Sequence, residues 1–194
     1  MFTVYRVDLN DIADEIEQLD LSDLIEQFIY DQEHSNSNSN NSLAALPTFY
    51  VKIAIYPSAV APFHAPSDIS GIGGMHSKCI RAVESWRKAH VRLFFSFSHD
   101  GVRYPCTLVC WFSRVGNSPN NNTGLWIVEP DISDEDSEIL TSVIHHDTII
   151  RAAHLLLVFG HEYVSRTLSS TDTLNEFTSF YVNKYADHHT FKIA

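Results

Sequence analysis

The stretch from Val91 to Pro130, VRLFFSFSHDGVRYPCTLVCWFSRVGNSPNNNTGLWIVEP, constrains the fold more than any other part of this chain. β-Branched and aromatic residues dominate it, and two breaks divide it. The first is Asp100-Gly101, a pair suited to the positive φ angles of a two-residue hairpin. The second begins at Gly116-Asn117 and runs through Ser118, Pro119 and three asparagines. The spacing predicts three consecutive strands, Val91–Phe97, Val102–Phe112 and Leu125–Val128.

The flanking sequence extends this pattern. Residues 49–56, FYVKIAIY, predict a strand ended by Pro57. Residues 57–75 contain Pro57, Pro62 and Pro66, then Gly71, Gly73 and Gly74, and read as an extended loop. Residues 76–88 read as a short helix holding Cys79, Ile80, Val83 and Trp86. Ser142–Ile150 and Leu155–Phe159 predict two further strands, joined by a tight helical turn at Arg151–His154. Short strands with tight turns predict an α+β protein: a small antiparallel β-barrel over residues 49–160, closed so that no edge is exposed.

Helical segments are expected at both ends. In residues 1–34, Ile12, Ile16 and Leu19, then Leu21, Leu24, Ile25 and Phe28, recur at helical spacing. Asn10 or Asp11 is the expected cap, and Asp20 and Ser22 the expected break. Residues 35–48, which include SNSNSNNS, read as a low-complexity linker. Residues 161–194 read as helical again. Thr173 and Glu176 fit a capping box, and Leu174, Phe177, Tyr181 and Lys184 follow at helical spacing.

At 194 residues, 44% hydrophobic and 12% aromatic, the chain can bury a sizeable core. Its net charge of −11 is unevenly spread. Residues 1–34 carry ten acids against Arg6 alone, residues 49–128 eight bases against three acids, and residues 129–194 eleven acids against four bases. The acidic total argues against broad non-specific nucleic-acid binding. The basic 78–114 segment, with seven bases and two acids, keeps a local acidic partner open. Acidic flanks lying against a basic middle are the plainer explanation. No apolar run reaches membrane-spanning length, and the N-terminus lacks a secretory pattern. Cys79, Cys106 and Cys110 are therefore expected as reduced thiols inside a cell, nuclear or cytoplasmic, and the Asn40 and Asn121 sequons carry no weight.

Candidate chemistry is thin. His145-His146-Asp147 and Asp187-His188-His189 are donor sets of the right type for a first-row metal. On a strand, however, His145 and His146 point to opposite faces, so one is lost to any shared site. Cys106 and Cys110 share a strand face but lie about 13 Å apart, too far for a disulfide, and read as small buried hydrophobes. Gly71-Ile72-Gly73-Gly74 lacks the spacing of a dinucleotide fingerprint. Tyr104, Trp111, Phe112 and Trp126, on neighbouring predicted strands, are the candidate ligand-binding aromatics, as a cage or stacking platform. Core packing is the simpler explanation, since large aromatics dominate cores. No catalytic residue, metal ligand or cofactor is expected.

Longer motifs carry a resemblance. FHAPSDISGIGGMH (63–76), YPCTLVCWFSRVG with NNTGLWIVEPD, IHHDTIIRAAHLLLVFG and FYVNKYADHHTF resemble, in order, the C-terminal region of Plavaka-type transposases. These belong to CACTA-like DNA transposons of mushroom-forming fungi. The resemblance runs from about residue 7 to the end. It implies an origin in a mobile element whose cutting and joining chemistry resides in an RNase H-like domain upstream. The chain starts at Met1, so none of the family's catalytic positions maps onto it. The family pattern also has a longer segment, with one more strand, between Trp86 and Val91. The barrel is similar, at fold level, to SH3-like and BAH-like modules.

The expectation is a non-catalytic accessory fragment that contacts nucleic acid, or a transposase or chromatin protein, through residues 78–114, with no membrane association. The alternatives are a metal-dependent hydrolase or nuclease using His145, His146, Asp147, Asp187, His188 and His189, and a decayed transposon copy without function.

Overall fold

The computed structural model describes residues 5–34, 52–64, 75–81, 91–133, 138–149, 154–159 and 177–183. Strand β1, Tyr5–Asp8, leads directly into helix α1, Leu9–Glu15. The cap is Asp8 rather than Asn10 or Asp11: the Asn10 N–H donates to the Asp8 carboxylate at 3.1 Å. The helix starts earlier than its spacing suggests because Leu9 is also buried. It closes with a Schellman pair of bonds, Glu17 N–H to Asp14 C=O (3.2 Å) and Gln18 N–H to Ala13 C=O (2.8 Å), with Glu17 left-handed at φ 46°. Helix α2 then spans Leu21–His34, so the expected break falls in place.

Strands β2 (Lys52–Tyr56), β5 (Val91–His99), β6 (Val102–Cys110) and β9 (Thr141–His145) join β1 in an antiparallel sheet ordered β1-β2-β5-β6-β9. Asp100 and Gly101, at φ 49° and 78°, form the tight β5–β6 turn. Pro105 is accommodated within β6 because β9 pairs only from Cys106 onward, leaving that side of Pro105 an edge. Both helices cover one face. Leu21, Ile25, Phe28 and Ile29 bury against Ile53, Leu93, Phe95, Phe97, Cys106, Leu108 and Val143. Arg92, at a β-bulge in β5, hydrogen-bonds the Gln18 side chain and the Ile16 C=O, which pins the α1 terminus to the sheet.

The other face of the same sheet also buries Phe94, Ser96 and Thr107. Their hydroxyls are satisfied. Arg103 Nε donates to Ser96 Oγ at 3.2 Å, Tyr56 Oη lies 3.2 Å from the same oxygen, and Thr107 Oγ1 lies 3.3 Å from His146 Nδ1.

A second sheet is ordered β10-β11-β8-β7, from Leu155–Leu157, Phe180–Val182, Ile127–Pro130 and Phe112–Arg114. A separate hairpin pairs β3, Ser58–His64, with β4, Met75–Arg81.

Four expectations are corrected. Among the described residues the sheets are open, and none closes into a barrel. Residues 58–64 are a strand rather than loop. Pro62 is compatible with it because, among the described residues, β3 pairs with β4 alone and its other edge has no partner strand. Residues 75–81 are a strand rather than the start of a helix. Residues 180–182 are a strand within the segment expected to be helical. There the aromatic and β-branched Phe180-Tyr181-Val182 pair on both sides, and Phe180 is fully buried. The proposed linker, the Trp86–Val91 connection and the Arg151–Ala153 turn lie outside the described residues. No described helix is long and apolar enough to cross a membrane.

Candidate functional site

Strands β6 and β7 are one run of chain interrupted at Trp111, where it leaves the first sheet for the second. On the facing side Thr141 opposes Cys110 and Pro130 opposes Phe112. Between these pairs, the described residues 131–133 and 138–140 flank Trp111. The two stretches join through the Ile132–Ile139 bridge and a Ser133 N–H to Glu138 C=O bond of 2.8 Å.

Trp111 is fixed at this fork by three hydrogen bonds. Its N–H donates to Leu140 C=O at 3.0 Å, its C=O accepts from Asp131 N–H at 2.9 Å, and its indole Nε1–H donates to Ser142 Oγ at 2.7 Å. Leu140 N–H closes the fork onto Asp131 C=O at 2.7 Å. Despite this anchoring, Trp111 stays 44% exposed, Leu140 45% and Ile132 56%. An indole whose polar atom is already satisfied, held rigidly with apolar surface in water, is a ready anchor for a partner. In sequence, the stretch that contains Ile132 and Leu140 has charge of one sign: residues 129–140 carry Glu129, Asp131, Asp134, Glu135, Asp136 and Glu138 and no lysine or arginine.

The other aromatics expected at a ligand site have separate neighbours. Tyr104 lies against Phe97 (ring centroids 5.4 Å) and Phe28 (6.1 Å), on the helix-covered face. Phe112 packs edge-on against Phe180 at 5.8 Å. Trp126 lies beneath the Arg114 guanidinium, 5.0 Å from its ring centre. No ring contact joins any two of the four among the described residues, and Trp111 is the one held open to solvent. The apolar residues Ile132 and Leu140 were missed by sequence reasoning; their signal was apolar side chains set inside an acidic run.

The described arginines of the basic segment are all engaged within the molecule. Arg92 holds Gln18 and Ile16, Arg103 holds Ser96 and Tyr56, and Arg114 covers Trp126. The side chains of Lys78, Arg81, Arg87 and Lys88 lie outside the described residues.

The histidine pair divides, but not by strand alternation: the strand expected over Ser142–Ile150 ends at His145, and His146 opens a 3-10 turn. His145 Nδ1 accepts from the Asp147 N–H at 3.3 Å and lies 3.6 Å from its carboxylate, a local cap on the 3-10 turn His146–Thr148. His146 turns to the opposite face, its ring edge-on to Phe94 at 5.5 Å. Asp187, His188 and His189 lie outside the described residues. Cys106 is a buried thiol, and burial pushes it up to about 12, which makes it unreactive. Compared with known proteins, the chain matches no family model, no curated protein and no solved structure.

Proposed function

We propose that this chain is a non-catalytic interaction module, of the kind its resemblance to the C-terminal region of Plavaka-type transposases implies, and that it binds a protein segment at the Trp111 fork. The observation that carries the reading is the triply anchored yet exposed indole beside Leu140 and Ile132. The acidic run around it selects a partner segment that is apolar and rich in lysine or arginine. Arg92, Arg103 and Arg114, already held internally, favour a protein partner over nucleic acid. An SH3/BAH-like ancestry belongs to the same proposal. It is supported by short antiparallel strands and by the 3-10 turn ahead of β10.

Fluorescence polarisation separates the partners. The probes are basic, apolar peptides from a display selection and a duplex bearing transposon-end DNA, each at low and moderate salt. Peptide binding is expected, weakened by Trp111→Ala by about 2 kcal/mol or more, roughly thirty-fold. Tight DNA binding at low salt that Trp111→Ala leaves intact overturns the proposal.

A further inference from the structure

We propose that Glu33, His99 and Asp100 form a divalent metal site that takes Zn2+ and clamps the C-terminal end of α2 to the β5–β6 hairpin. They come from two chain segments far apart in sequence: Glu33 from the last turn of α2, and the adjacent His99 and Asp100 from the end of β5 and the turn that follows. His99 Nε2 lies 3.7 Å from Glu33 Oε1 and 3.7 Å from Asp100 Oδ2, and the three donor atoms all fall within 4.8 Å of one another. One imidazole nitrogen and two carboxylate oxygens make a borderline donor set that suits zinc, with water completing the shell.

The two imidazole–carboxylate distances are close to what an ion needs, and the two carboxylates, within 4.8 Å of each other, close the rest by side-chain rotation. Donors about 2.0–2.2 Å from a tetrahedral zinc stand roughly 3.3–3.5 Å apart, so the 3.7 Å pairs must close by only a few tenths of an ångström. The side chains that must move can do so: Glu33 and Asp100 are exposed, while the His99 side chain is only 21% exposed and stays as the fixed point.

Charge supplies an independent argument. A protonated His99 offsets at most one of the two carboxylates, and among the described residues no lysine or arginine pairs with either. The C-terminal end of the α2 dipole adds partial negative charge. Arg103, on the partner strand of the hairpin, is committed to Ser96 and Tyr56, and those residues belong to the sheet face opposite that of Phe97. Among the described residues the cluster therefore carries a net negative field around a nitrogen donor, which a dication neutralises better than a proton does.

The test is calorimetric titration of the full chain with zinc chloride, paired with thermal melting in zinc and in EDTA. Asp100→Asn is a clean probe, because asparagine accepts the left-handed φ of 49° and keeps the turn while removing the carboxylate. Glu33→Gln removes the other from an exposed helix position, where folding is insensitive. Zinc is expected to bind the wild-type chain and raise its melting temperature. The double variant is expected to bind about tenfold or more weakly, with an unchanged melting temperature in EDTA. A wild-type melting temperature that zinc does not move overturns the site. So does an equal zinc shift in wild type and the double variant, which would place binding at the chain's other histidines. If the double variant is unstable in EDTA, Glu33→Gln alone decides by the same two criteria.

Discussion

Cys106 lies on the helix-covered side of β6, opposite Phe95 on one neighbouring strand and His145 on the other. Its thiol is raised from 9.0 to about 12 because burial penalises the thiolate. The folded value exceeds the unfolded one, so the stability gained by keeping the thiol neutral is complete below pH 9 and is lost as pH rises toward 12. The loss amounts to about 1.4 kcal/mol per pH unit from this group. Urea unfolding between pH 8 and pH 11 is expected to show a steeper alkaline decline in wild type than in Cys106→Ala; equal slopes would contradict the assignment. At this scale the sequence was readable wherever alternation decides. It placed Cys106 and Cys110 on one strand face, whereas His145 and His146 part because the strand gives way to a 3-10 turn at His146. It could not give the partners that close over distance, such as His146 with Thr107 or Arg92 with Gln18, because nothing local encodes which remote side chain arrives.

At the level of elements, local chemistry was most legible where it is strongest. Asp100-Gly101 fixed the β5–β6 hairpin, and the apolar run Leu93–Phe97 matched a strand buried on both faces. Strand β3 was misread because its pairing, among the described residues, to β4 alone, which makes Pro62 tolerable, is a tertiary fact. Strand β11 was misread because Phe177 and Tyr181 fit a helical period as well as Phe180–Val182 fit a strand, and pairing with β8 and β10 decides between them. The helical stripe of residues 12–28 was also too inclusive. Leu19, counted within it, is 80% exposed in the turn between α1 and α2, whereas Ile25 is buried against the sheet. Ile25→Ala is therefore expected to cost about 2–5 kcal/mol and Leu19→Ala less than about 0.5 kcal/mol, measured by denaturant unfolding. Similar losses for both would refute the docking of α2.

For the whole molecule, an α+β composition followed from the sequence, but closure did not. Whether strands close into a barrel depends on strand order, and here β1 extends one edge of the first sheet while β11 inserts between β8 and β10. Two open sheets sharing the β6–β7 chain create a fork at Trp111. The fork leaves an anchored indole and two aliphatic side chains exposed within an acidic stretch. That arrangement was invisible while Trp111 was grouped with Tyr104, Phe112 and Trp126 on one imagined surface. The most direct measurement of its role is an NMR titration of the labelled chain with a selected basic, apolar peptide. The account predicts shifts centred on the Trp111 indole N–H and the Ile132 and Leu140 methyls. Shifts confined instead to the sheet face carrying Tyr56, Ser96 and Arg103 would contradict it.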